Sequence, residues 1–257
     1  MNNLITSLKN LIIEAGKIAL IRRNLGLIIS YKKDHSPVTN ADKDISDFIY
    51  NGLNSLTPNI SVICEERDLG ILPQDSFWLV DPIDGTQSYI KGEETYTVNI
   101  ALIQDCTPTI GFIYQPSKCR LCYTDENNTL KIEQNGIEIK LSTLKQKGYS
   151  ATISSRALNL ETKNFLNKHN ITRVVSVPSS IKLCLVAEGV VDIYPKFGTT
   201  MEWDIAAGHA LIKASGGNVI GLDGNELIYK KKNYQNSNFY ACSRCWLEEH
   251  KHNSFVS

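Results

Sequence analysis

Acidic residues recur in this chain where an apolar segment ends or a helix begins. Glu65 and Glu66 follow the apolar run in "SVICEE", and Asp81 and Asp84 close "FWLVDPID". Asp204 opens the helical pattern of "EWDIAAG", and Asp42 stands in the first turn expected after "SPVTN". Taken singly, each suits a helix cap or a solvated loop. As a group they suggest something else. Pro82 restricts the backbone between Asp81 and Asp84, so both carboxylates and the Ile83 carbonyl can face one point. Clustered carboxylates repel one another unless a divalent cation sits among them. Oxygen donors without histidine or cysteine select a hard ion such as magnesium. Gly85 and Thr86 then offer backbone N–H groups at the start of a short helix, where a phosphate oxygen can be seated. Carboxylates, hard cation and anion seat together predict a phosphoryl-transfer site.

The elements that must carry these residues can be read from hydrophobic period. Leu4, Leu8, Leu11, Ile12, Ala15, Ile18 and Ala19 mark an amphipathic helix over about residues 3–23. After a turn-prone stretch, Thr39 or Asn40 can cap a second helix with Ala41, Ile45, Phe48, Ile49 and Leu56 on its apolar face. "SVICEE", "FWLVD", "TYTVNIALIQ", "PTIGFIYQP" and "CRLCYTD" read as strands, the last three as an antiparallel meander. From about residue 145 the texture alternates. "YSATISS", "TRVVSVP" and "VDIYPKF" are strands, and "LETKNFLNKHN" and "IKLCLVAEG" are helices, the latter opened by Ser179 or Ser180. The helix "MEWDIAAGHALIKAS" stops at Gly216-Gly217, and "GNVIGLDGNELIY" reads as a hairpin around Asp223-Gly224. The expectation is an α+β half over 1–144 carrying most of the acidic residues, and an α/β half over 145–257 carrying Asp204.

Composition narrows the partners. Of 257 residues 42% are hydrophobic and 21% charged, so the chain can build a core. Lys plus Arg and Asp plus Glu number 27 each, so no basic excess points to a nucleic acid polymer. No apolar run is long enough to span a bilayer, and Lys9, Glu14 and Lys17 interrupt the first helix, unlike a targeting segment. Seven cysteines, an odd number, fit a reducing, intracellular setting. Cys119/Cys122 fall on a strand pattern that sends them to opposite sides, and Cys242/Cys245 precede a polar tail with His250 and His252. Buried, inert thiols are expected rather than a zinc site. His209, within "AAGHA", reads as a packed helix residue.

At "WLVDPIDGT", with "EE" upstream and "WDIAAG" downstream, the chain resembles the inositol monophosphatase-like superfamily of lithium-sensitive, magnesium-dependent phosphatases. The flanks "SPVTNAD", "DGTQSYIKGEETYTVNIALI", "SSIKLCLVAEG" and "YPKFGTTMEWDIAAGHA" resemble the bacterial 3′(2′),5′-bisphosphate nucleotidases of the CysQ type. The likeness runs from the first helix to "FYACS". It implies the layered αβαβα sandwich of the inositol monophosphatase and fructose-1,6-bisphosphatase type, with the site between the halves. It also implies two or three magnesium ions held by Glu65, Asp81, the Ile83 carbonyl, Asp84 and Asp204. Asp42 and Thr86 would form a dyad that orients and deprotonates the attacking water. Glu65, Gly85, Thr86, Ser179, Lys182, Lys196 and Asp204 would meet the substrate. The implied reaction removes the 3′-phosphate of adenosine 3′,5′-bisphosphate to give AMP, and converts PAPS to APS, in sulfur assimilation. Alternatives are an inositol or sugar phosphate phosphatase and a catalytically silent nucleotide-binding protein. The implied enzyme is a cytoplasmic monomer or homodimer, with peripheral attachment at the inner membrane left open. Two departures bear on substrate choice: Gln87 stands where Lys is frequent, and "SSRALN" lacks the His often found after the Ser-Arg pair.

Overall fold

The computed structural model describes residues 2–67, 73–140, 148–154 and 158–250. Helix α1 (Asn2–Leu25) buries Ile5, Leu8, Leu11, Ile12, Ala15 and Ala19 along one stripe, with Leu4 and Ile18 at its margin. The stretch expected to be only a turn contains a two-stranded ribbon, β1 (Ile29–Tyr31) and β2 (Pro37–Thr39). Its polar residues hid the strands, because both faces of β1 are exposed and no alternation is needed. Helix α2 (Asn40–Leu56) is capped by Thr39 and buries Ala41, Ile45, Ile49 and Leu53. Phe48 and Leu56, expected on that face, are exposed. The buried face turns toward Asp42 and Ser46, which leaves Phe48 at its edge, and Leu56 is the last residue of the helix.

Strands β3 (Ser61–Cys64) and β4 (Ser76–Asp84) are followed by the short helix α3 (Thr86–Ile90). Then come β5 (Thr97–Gln104), β6 (Thr107–Gln115), β7 (Arg120–Thr124), β8 (Leu130–Gln134) and β9 (Ile137–Glu138). These strands form one sheet in chain order, antiparallel except for the β3/β4 pair. The meander thus runs two strands further than the pattern predicted. Cys119, expected to be buried, is exposed: it adopts a positive φ of 46° and ends a single turn of 3-10 helix before β7.

The rest of the chain supplies β10 (Ser150–Ile153), α4 (Leu160–Lys168), β11 (Arg173–Ser176), α5 (Ile181–Ala187) and β12 (Ile193–Lys196). It ends with α6 (Glu202–Ala214), β13 (Asn218–Gly221), β14 (Phe239–Cys242) and α7 (Arg244–His250). The second sheet has the order β11-β10-β12-β14-β13. The expected hairpin at Asp223-Gly224 closes with only one bridge, Ile220 to Glu226, because β13 takes β14 as its ladder partner. The expected boundary between halves, at 144/145, lies outside the described residues.

Five layers result. Trp78 and Val80 of β4 face α1 and α2, in a core with Leu8, Ile12, Ile45 and Ile49. Phe77 and Leu79 face the other way, toward Leu183 of α5 and Ala206 and Leu211 of α6, which also pack on Val219 and Phe239 of the second sheet. Outside that sheet lie Leu166 of α4 and Trp246 of α7. β4 is covered on both faces, and that is why its sequence is continuously apolar rather than alternating.

The central helix sits very close to its neighbours. A Cβ on Gly111 of β6 would stand 2.3 Å from the Ala207 carbonyl oxygen, and one on Gly208 would stand 2.3 Å from Leu183 Cβ. Backbone blocks the first position, so Gly111→Ala must push α6 off the sheet. A loss of about 1–3 kcal/mol is expected, read as a lower midpoint in denaturant unfolding at unchanged slope. An unaltered midpoint would contradict this packing. His209 of α6 is fully buried, with Nδ1 3.0 Å from the Tyr229 hydroxyl and Nε2 3.1 Å from Asn218 Oδ1. Burial lowers it to about 4, so it is a neutral packing residue.

Candidate active site

Asp81 and Asp84 sit within β4 rather than after it. Asp81 pairs with Asn99 of β5 and Asp84 with Thr97, so three steps along β4 oppose two along β5. In a regular strand, residues i and i+3 face opposite sides; the extra residue of this bulge reverses that parity and turns both carboxylates the same way. Pro82 falls beyond the last β3/β4 pair, Cys64 with Val80, where no ladder N–H is required. Glu65 follows directly, its N–H donating to the Val80 carbonyl at 3.1 Å.

Asp204 and Asp42 each occupy the third position of a helix. Asp204 Oδ2 accepts the Met201 N–H at 2.8 Å, and Asp42 Oδ2 accepts the N–H and the hydroxyl of Thr39 at 2.8 and 2.6 Å. The helix-starting geometry of these acids is therefore real, but it holds them in place at the site rather than in solvent. Carboxylate oxygens of Glu65, Asp81 and Asp204 lie within 4.8 Å of one another, the one such acidic group among the described residues. Asp84 adjoins it but leans on Lys182 and the Ser180 N–H. Thr86 Oγ lies 3.0 Å from the Ile83 carbonyl and 3.3 Å from Asp42 Oδ1, so its single proton can go to either oxygen.

The electrostatics are those of a crowded anionic site. Burial, then Glu65, Asp84 and Asp204, raise the Asp81 carboxyl well above the usual range. Burial, then Asp84 and Glu65, push Asp204 up to about 8. Burial also raises Asp84, with Lys182 and the Ser180 N–H drawing it back, and raises Asp42 against the Thr39 hydrogen bonds. Asp81 Oδ1 is buried and has no hydrogen-bond partner among the described residues. A buried carboxylate oxygen left so is costly, and a cation is the partner its surroundings suit.

A cleft of about 700 Å³ opens beside this cluster, and Glu65, Asp84, Gly85, Thr86, Ser179, Lys182, Lys196 and Asp204 all line it. Asp42, Asp81 and Ile83 stand behind that lining. Gly85 has φ +93°, and a Cβ there would lie 3.1 Å from the Thr95 carbonyl oxygen and 3.3 Å from Ser179 Cβ, so the turn is built for glycine. Ser180 occupies the N-cap position of α5 without a side-chain capping bond, while Ser179 takes a positive φ of 57°. Lys182 is buried in the wall rather than solvated: its ammonium donates to the Ser179 carbonyl and stands over the Tyr194 ring, 5.3 Å from the centroid. Burial, only partly offset by Asp84, lowers it to about 8. Gln87 is exposed at the rim, and the Ser155-Arg156 pair lies outside the described residues.

Sequence reasoning missed two features. Lys32, in the link between β1 and β2, reaches Glu65 and Glu66 at 2.6 Å each. Burial alone would lower this ammonium, but Glu65 and Glu66 more than reverse it. Thr97, Asn99 and Ser180 form a buried chain, with hydroxyls 2.7 Å apart and Ser180 donating to Asn99 Oδ1 at 2.8 Å. Polar residues on the otherwise apolar β5 were the available signal.

The layered fold and its acidic cleft define a phosphatase scaffold whose enzymes depend on metal. The chain belongs to the inositol monophosphatase family, whose model matches residues 1–253. It is similar to the 3′(2′),5′-bisphosphate nucleotidase CysQ of Buchnera aphidicola subsp. Acyrthosiphon pisum, 37% identical over 219 residues and 83% of each chain. It is 38% identical to that of Escherichia coli K12 over 201 residues, 77% of this chain and 81% of the other. The crystal structure of CysQ from Bacteroides thetaiotaomicron superposes with a TM-score of 0.82 at 30% identity, covering 95% of this chain and 98% of that one. Among the described residues, no helix is long and apolar enough to cross a membrane.

Proposed function

We propose that this chain is a magnesium-dependent phosphatase that hydrolyses the 3′-phosphate of adenosine 3′,5′-bisphosphate to AMP and inorganic phosphate, and acts likewise on PAPS. The observation that carries this reading is the unpartnered, buried Asp81 oxygen among converging carboxylates, beside a cleft walled by Lys182 and Lys196. The names of relatives at 37–38% identity support the nucleotide substrate. Glu65, Asp81, Asp84, Asp204 and the Ile83 carbonyl would hold two or three ions. Bound magnesium supplies positive charge for the phosphoryl oxygens and lowers the pKa of water.

The chain's own groups do the rest. Thr86 orients the attacking water through its hydroxyl, and its proton can pass to Asp42 Oδ1, whose carboxyl burial has made more basic. Gly85 and Thr86 offer their N–H groups to the phosphate under attack, and Ser179, Lys182 and Lys196 hold the phosphate that stays. We read the setting as cytoplasmic, which seven free thiols suit, and the assembly as a monomer or homodimer.

Phosphate release from adenosine 3′,5′-bisphosphate and from inositol 1-phosphate, with magnesium or chelator, tests the reading. Turnover of the nucleotide only with magnesium is expected. Preference for inositol 1-phosphate would assign the chain to the alternative on the same scaffold, and no turnover of either would leave a binding protein. Lys182→Ala should raise KM more than it lowers kcat, because the phosphate it holds is bound alike in ground and transition states. The loss in kcat/KM is expected to be on the order of ten- to a hundredfold, and to shrink with 3′-AMP, which has no second phosphate. Equal losses on both substrates would remove Lys182 from this role.

A further inference from the structure

Glu202, the first residue of α6, is completely buried and does not line the cleft. A buried carboxylate needs dedicated partners, and this one takes them all from the segment after Tyr229. Its oxygens accept the N–H groups of Lys230 at 3.0 Å and Lys231 at 2.9 Å, and the Lys231 ammonium at 2.8 Å. Its own N–H donates to the Tyr234 carbonyl at 2.7 Å. Lys230 and Tyr234 adopt φ values of 72° and 54°, uncommon for side-chain-bearing residues, within this same segment.

More bonds close the ring. The Asn236 N–H donates to the Thr200 carbonyl at 2.9 Å, its side-chain amide donates to the Met201 carbonyl at 2.8 Å, and Met201 bridges to Gln235. Met201 in turn donates to Asp204. The segment is also tied to the first sheet, by Tyr229 N–H to the Cys106 carbonyl at 3.0 Å and by Lys230 to Asp75 at 3.1 Å. That sheet carries Asp81 and Asp84.

We propose that Glu202 is a positioning residue: by anchoring the start of α6 to the 229–236 segment, it sets Asp204 against the carboxylates of β4. The proposal rests on the metal-site reading above. It explains why a charge is buried where an apolar residue would pack at less cost.

Glu202→Gln keeps the shape but offers only one acceptor oxygen, so the grip on two N–H groups and an ammonium is broken. Titration calorimetry with magnesium chloride is expected to give about tenfold weaker binding. Hydrogen exchange of the metal-free protein should be about tenfold faster at the amides of position 202, Asp204 and Asn236. Leu211→Ala, a core truncation in the same helix, serves as the control, compared at equal loss of thermal stability. It should leave magnesium affinity within about twofold, since the anchor is intact. Should Glu202→Gln fail to fold, Asn236→Ala removes the neighbouring bonds and is expected to act in the same direction. Unchanged exchange at these amides, or equal weakening of magnesium binding by Leu211→Ala, would overturn the proposal. If the wild type takes up no magnesium, the functional reading falls, and the exchange arm alone decides the role of Glu202.

Discussion

Asp81→Asn is expected to lower kcat/KM by about a thousandfold or more in magnesium, while leaving the metal-free protein no less stable. The substitution is isosteric, so β4 and its bulge should persist. The amide removes one negative charge from a group that already repels Glu65, Asp84 and Asp204 in a buried site. It also places an N–H donor among carboxylates that repel one another. A neutral oxygen cannot supply the charge that recruits a hard cation, and charge stabilisation by such ions accounts for several kcal/mol of phosphoryl-transfer catalysis. Activity and stability should therefore move apart. Steady-state turnover, with thermal unfolding in chelator, checks both arms. Near-normal turnover by a folded Asp81→Asn protein would sink the assignment of the cluster, and a lower unfolding temperature in chelator would show that Asp81 is structural.

The second large effect is in pH. Asp204 is pushed from its ordinary range, near 3.8, up to about 8, chiefly by burial and then by Asp84 and Glu65. A carboxyl raised in the folded state binds more protons there than in the unfolded chain. Its contribution is thus fully present below about pH 4 and is lost as pH rises toward 8. Without metal, the wild-type protein should lose on the order of 5–10 °C in unfolding temperature between pH 5 and pH 8 relative to Asp204→Asn, which lacks this titration. Saturating magnesium should reverse the trend, because ion binding requires ionised carboxylates and stabilises only the folded form. Parallel pH profiles for wild type and Asp204→Asn in chelator would refute the coupling of Asp204 to its neighbours.

Much of this protein was legible without coordinates. The helical stripe of α1, the stop at Gly216-Gly217 and the continuous apolar run of β4 are local patterns, and local physics decides them. The motifs around "DPIDGT" and "WDIAAG" carry a resemblance that already points to the inositol monophosphatase family. The reach of the meander beyond β7 and the pairing of β13 with β14 were not legible, since ladder partners are chosen among strands far apart in sequence. Nor could spacing say that Asp81 and Asp84 turn the same way: that follows from a register shift against β5, a property of two strands together. Lys32, Asn99 and Glu202 read as ordinary polar residues until the fold surrounds them. A carboxylate's chemistry is set by what desolvates it and which charges it faces, and in this protein only the closing of two sheets around α5 and α6 supplies both.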